Sequence, residues 1–190
     1  GIFLTGTVLL SAFFLLCCDN DDDASPTRSD RTLQPASDGV AQLRVIHAVA
    51  DAPDVNVLAN GNRILERVPF GVASALLGVT PATYDVQVDG ILPGGTASVI
   101  GPAGIALNDA DITTVLAVNT LAAIEPLVVR VPDETVASDR VRLTLVHGAA
   151  AAPAVDVYLT APGSDPADPV GTFAFRETLG PVTVAAGEYR

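Results

Sequence analysis

The chain contains no Trp, no Met and no Lys, and aromatic residues make up only 5% of its 190 positions. The missing Lys leaves Arg as the only basic side chain. The ten Arg face 22 acidic residues, giving a net charge of −12. A phosphate backbone is bound by clustered basic residues, and this chain has no such cluster, so nucleic acid is excluded as a partner. The same charge is repelled by anionic lipid, so any membrane attachment must come from a hydrophobic or covalent anchor. The scarcity of exposed aromatic candidates, with Tyr84, Tyr158 and Tyr189 the only tyrosines, works against a stacking platform for sugars. Cysteine is confined to Cys17 and Cys18, which excludes a disulfide framework in the rest of the chain.

What is present is a Val-, Ala-, Leu- and Thr-rich chain with 16 Gly and 14 Pro, a composition of short strands and turns. No segment sustains a helical period, so a βαβ fold is not expected. The ends look open: the chain begins at Gly1 inside an apolar run and closes at Arg190 with a repeat under way. A piece of a longer protein is the expectation.

Residues 1–18, "GIFLTGTVLLSAFFLLCC", carry no charge and are followed at once by "DNDDD". The run fits a signal h-region and is slightly short for a membrane span. With Leu15-Leu16-Cys17-Cys18 at its end it resembles a bacterial lipoprotein signal. That resemblance implies lipidation of Cys18, or alternatively of Cys17, since Cys occupies the place where Gly or Ala is usual. A plain secretory signal and an uncleaved anchor are the alternatives. All three place the remainder outside the cytoplasm, and the first two-signal logic of acyl anchoring makes the membrane the expected partner. Residues 19–40 are dominated by Asp, Ser, Pro, Thr and Arg and read as an acidic, disordered tether. Asp19, Asp21, Asp22 and Asp23 lack the central Gly and distal carboxylate of a calcium loop, so no metal is assigned there.

"LRVIHAVADAPDVNVL", from Leu43, and "LTLVHGAAAAPAVDVY", from Leu143, are identical at seven of sixteen positions. Five inserted residues later, Phe70, Val79 and Tyr84 match Phe175, Val184 and Tyr189. A tandem duplication is expected: a first copy at 41–131, a linker at 132–139, and an incomplete second copy at 140–190. In the first copy, alternating segments such as "QLRVIH", "DVNVLAN", "TYDVQVDG" and "DITTVLAVNT" are separated by turn signals at Asn60-Gly61, Asp89-Gly90, Pro93-Gly94-Gly95 and Asn108-Asp109. Seven or so short strands at this spacing predict an all-β, antiparallel β-sandwich. "GPAG", at Gly101 to Gly104, reads as a further hairpin turn.

The patterns "RVIHAVADAPDVNVL…VPFG…Y" and "TLVHGAAAAPAVDVY…FAF…Y" resemble the DUF4397 family of bacterial extracytoplasmic domains. The resemblance implies an immunoglobulin-like β-sandwich, used in tandem. It supplies no activity and no catalytic residues.

His47 and His147 are the only histidines. Strand parity puts His47 on one face with Leu43 and Val45, and His147 with Leu143 and Leu145, while Arg44 and Thr144 face the other way. Each His precedes a loop closed by Pro53 or Pro153. The expected role is structural, with the imidazole holding the loop through backbone hydrogen bonds. A His–Asp pair with Asp51 has no counterpart at Ala151, and Asp156 is expected to face solvent. No nucleophile–base pair, G-x-S-x-G elbow or phosphate-binding loop is apparent, so neither catalytic residues, metal ligands nor cofactors are assigned. The leading expectation is a non-enzymatic, lipid-anchored cell-envelope protein, exported and held on the extracytoplasmic side. It would display tandem β-sandwich modules for binding, adhesion or spacing toward an envelope or extracellular ligand. The alternative is a structural subunit of a surface assembly, joined edge to edge through β-strands.

Overall fold

A computed structural model describes residues 39–165 and 168–189. Cys17, Cys18 and nearly all of the expected tether lie outside the described residues. The described residues form twelve strands: β1 (Ala41–His47), β2 (Val55–Ala59), β3 (Asn62–Val68), β4 (Leu77–Val79), β5 (Ala82–Leu92), β6 (Gly95–Leu107), β7 (Asp111–Val118), β8 (Glu125–Pro132), β9 (Arg140–Val146), β10 (Val155–Val157), β11 (Gly171–Phe173) and β12 (Thr178–Ala185). The one helical element among the described residues is a 3-10 turn at Leu121–Ala123. No helix among them is long and apolar enough to cross a membrane.

The first eight strands form two four-stranded sheets, ordered β4-β1-β7-β8 and β3-β2-β5-β6. Alternation explains which side of each is buried. In β1, Ala41, Leu43, Val45 and His47 are buried while Gln42, Arg44 and Ile46 are partly exposed. Leu43 and Val45 meet Val115 and Ala117 of β7, and Val55, Val57, Val86, Val88 and Ile105 from the other sheet complete one continuous core. This is the all-β sandwich that the alternation predicts.

Three local expectations need correction. An eighth strand, β3, follows the Asn60-Gly61 hairpin; its pattern is too irregular to read because Arg67 takes a positive φ of 50° and the register with β2 shifts. Asn60 (φ 50°) and Gly61 (φ 76°) make the left-handed two-residue turn that this dipeptide favours. Asp89-Gly90 is not a turn but part of the long strand β5, where Gly90 pairs with both Val55 and Ala97. Gly101-Pro102 is not a hairpin either. It forms a bulge in β6, where the register with β5 slips between Val86 and Val88. Because β6 is an edge strand, a proline there deprives no neighbour of an N–H donor. One pairing also departs from the antiparallel expectation: β1 and β7 run parallel, Gln42 opposite Ile112 through His47 opposite Ala117.

The later strands pair as the first four do. β12 lies antiparallel to β9, as β4 does to β1, and β11 antiparallel to β10, as β3 does to β2. The linker is fastened near its start: Arg142 donates to the Pro132 carbonyl at 2.6 Å and to Glu134 at 3.0 Å. At the far end of β7, the Cα of Gly148 faces Val118 and Ala48 so closely that an added Cβ would stand 3.6 Å from the Val118 methyl. Arg176, in the turn before β12, reaches Glu125 of β8 at 3.0 Å. β9 therefore runs alongside the β1–β7 face.

Leu43, 2% exposed in the centre of this core, and Leu92, 47% exposed at the β5–β6 hairpin, separate burial from mere hydrophobicity. Leu43→Ala is expected to lower the unfolding free energy in urea by about 2–5 kcal/mol. Leu92→Ala should change it by no more than about 0.5 kcal/mol.

Candidate functional site

The segment Ala48 to Asp54 carries the chain from one sheet to the other, and its geometry is set by His47. The His47 side chain is 1% exposed. Its Nδ1 accepts the Val49 N–H at 3.3 Å, and its Nε2 lies 3.1 Å from the Pro53 carbonyl oxygen. A ring nitrogen that accepts an N–H cannot carry the proton, so the proton sits on Nε2 and donates to Pro53. The imidazole thus closes the loop at both ends. Ala52 N–H to the Val49 carbonyl (3.3 Å) adds a turn inside it, and Ala48 N–H to the Ala117 carbonyl (2.9 Å) ties it to β7. Phe70 stands edge-on to the ring with centroids 6.3 Å apart.

His147 occupies the same position relative to β9. Its Nε2 is 3.0 Å from the Pro153 carbonyl oxygen, and Ala152 N–H reaches the Ala149 carbonyl at 3.1 Å. Phe173 and Phe175 both stand edge-on to it. Its Nδ1, however, is buried without a hydrogen-bond partner among the described residues. The backbone beyond each His is matched as well. Gly71 N–H donates to the His47 carbonyl and Arg176 N–H to the His147 carbonyl, both at 2.8 Å. Gly71 (φ 79°) and Arg176 (φ 72°) share the left-handed conformation this requires.

The structure brings His47 together with Pro53, and His147 with Pro153. Asp51 turns instead to the 3-10 turn, where its Oδ1 accepts the Leu121 N–H at 2.9 Å. Leu121 N–H is one of the donors a helical turn leaves unpaired, so Asp51 acts as a remote cap. Asp156 is exposed and accepts the hydroxyl of Thr172. Asn56, at the matching position on β2, is buried and accepts the Arg67 N–H at 3.0 Å, pairing the donor freed by the β3 irregularity. Among the described residues no group of three or more His, Cys, Asp and Glu is gathered as a metal site would require.

Sequence reasoning missed one device. The Tyr84 hydroxyl donates to the Thr80 carbonyl at 3.0 Å, pinning the corner where β4 of one sheet hands over to β5 of the other. Tyr189 repeats the bond to Ala185, also at 3.0 Å. The signal was available: the two tyrosines fall at the same 105-residue offset as Phe70 and Phe175, and a Tyr at the start of a strand after a sheet crossing is the arrangement of a tyrosine corner.

A family model described as "Domain of unknown function (DUF4397)" matches residues 41–158, which take in the whole sandwich and continue through β9 and β10. No curated protein and no solved structure matches the chain.

Two measurements probe this geometry. His47→Phe keeps the ring volume but leaves the Pro53 carbonyl and Val49 N–H unpaired, and is expected to cost about 1–3 kcal/mol in urea unfolding. His147→Phe, which removes one hydrogen bond rather than two, should cost less; equal losses would contradict the assigned contacts. For Asp51→Ala, amide exchange at Leu121 should accelerate while that at Val45 keeps pace only with a global loss of about 0.5–2 kcal/mol.

Proposed function

The chain belongs to the DUF4397 family, and from that premise we propose that it is a non-enzymatic, exported protein, lipid-anchored at Cys18, that displays β-sandwich modules in tandem at the cell envelope. The observation that carries this reading is the twice-built loop clamp. In both places a buried imidazole faces a proline carbonyl six residues on, at 3.1 Å and 3.0 Å, which makes the repeated histidines elements of architecture. A His whose two ring nitrogens are occupied by its own loop, as His47's are, is not disposed to act as a general base toward a substrate. Duplication of a module explains why the clamp, the left-handed residue after the phenylalanine and the tyrosine bond all recur at matched offsets.

Anchoring at Cys18 is supported by the uncharged run that ends in Leu15-Leu16-Cys17-Cys18 and by the acidic charge, which calls for a covalent rather than an electrostatic hold on a membrane. In a bacterial host supplied with labelled palmitate, the full chain should incorporate label into the membrane fraction. Cys18→Ser should abolish incorporation while Cys17→Ser retains it. Label retained by Cys18→Ser and lost by Cys17→Ser would move the anchor to Cys17, and no label in any variant would remove the lipid from the proposal.

A second reading is favoured by one observation. β1 is paired on two sides, by β4 and β7, whereas β9 is paired by β12 alone among the described residues, and β10 by β11 alone. Free strand edges of this kind accept a strand from another chain. Light scattering across a concentration series separates the two readings: a monomer throughout supports a display protein, and a concentration-dependent oligomer supports an edge-joined surface subunit.

A further inference from the structure

The outward positions of the repeated strands, Arg44 on β1 and Thr144 on β9, meet at one place. A cavity of about 520 Å³ lies between the outer face of the β1–β7–β8 sheet and β9, and both residues line it. Its walls are mostly aliphatic, with Ile46, Leu116, Val129, Val131 and Leu143 among them. Three of the chain's ten cationic residues, Arg44, Arg140 and Arg142, also line it, and no carboxylate among the described residues does. In a chain of net charge −12 this is a local inversion of sign. The three arginines are not equivalent. Arg142 is held by Glu134 and the Pro132 carbonyl. Arg140 is half-exposed, with Asp139 at 3.9 Å. Arg44 is part-buried among aliphatic side chains and makes no ion pair or hydrogen bond among the described residues.

We propose that this cavity is a binding site for a single-chain aliphatic carboxylate, with the carboxylate held by Arg44 and the hydrocarbon tail lying between Leu116, Val129 and Leu143. Volume, lining and charge each contribute to the choice. The volume falls in the range of roughly 300–1,000 Å³ typical of small-molecule sites, which combine apolar walls with a few fixed polar groups. Aliphatic walls without aromatic side chains suit an acyl chain rather than a planar ring. A guanidinium presents a forked donor that matches a carboxylate in two parallel hydrogen bonds, and such a pair strengthens in apolar surroundings. Because Arg142 is already engaged, Arg44 is the positioned partner.

This deepens the reading of the modules as binding elements, and it is read by calorimetry whereas anchoring is read by palmitate labelling, so either can fail alone. The full chain is placed in zwitterionic lipid nanodiscs and titrated with sodium dodecanoate, with empty nanodiscs as the partition blank. Saturable binding at one site per chain is expected. Arg44→Gln should weaken it about tenfold or more, as should replacing dodecanoate by 1-dodecanol, since each removes the charge-assisted pair. Arg63→Gln, on the exposed β3, should leave it unchanged. Val129→Phe narrows the cavity and should abolish binding; Thr114→Phe, which narrows it from β7, serves if the first variant melts early. Equal affinity for dodecanoate and dodecanol, undiminished affinity in Arg44→Gln, or uptake no greater than that of empty nanodiscs would each overturn the assignment.

Discussion

The sandwich depends on how the chain crosses from one sheet to the other within the seven residues after His47. That crossing exposes a risk: its backbone groups leave one ladder before they join the next, and a buried donor or acceptor without a partner is costly. The His47 ring resolves it by supplying one acceptor and one donor at the required separation, to Val49 and Pro53. Asp51 extends the fastening to Leu121, and the Asp54 carbonyl accepts the Ile91 N–H at 2.8 Å where β5 ends. With the crossing fixed, β1 falls between β4 and β7 and β2 between β3 and β5. Their inward aliphatic residues then face each other. The core follows from the crossing as much as from its own hydrophobicity.

Much of this was legible in the sequence because the inward side chains alternate. Leu43, Val45 and His47 could be placed on one face by parity alone, and the turn at Asn60-Gly61 by its dipeptide. The strand irregularities were not legible. Arg67 in a left-handed conformation and the Gly101-Pro102 bulge depend on which neighbour each strand meets, and pairing partners are distant in sequence. The glycines of Gly101 to Gly104 read as a hairpin turn, yet Pro102 sits within a strand. Its tolerance depends on β6 being an edge, which only the strand order reveals. The parallel β1–β7 pair is of the same kind: its residues are some seventy positions apart, and nothing local marks the direction of the pairing.

At the candidate site the residue types were legible and their partners were not. A repeated His before a repeated Pro suggests a clamp, but nothing in the sequence shows that Nδ1 accepts the Val49 N–H in His47 and finds no such donor among the described residues in His147. Asp51, a candidate partner for His47 by its place in the sequence, serves the 3-10 turn instead, because that turn offers an unpaired N–H. Arg44 and Thr144 could be assigned an outward direction by parity. That they line one cavity follows from β9 lying on the sheet that holds β1, which parity cannot supply.

The parallel pairing of β1 with β7 has a geometric consequence. Gln42 lies opposite Ile112, and Ile112 opposite Val131, so the chain enters and leaves the sandwich at the same end of one sheet. The next strand then starts from that end and runs beside the sheet until Gly148 meets Val118. The strand order thus places β9 beside the β1–β7–β8 sheet rather than beyond its end.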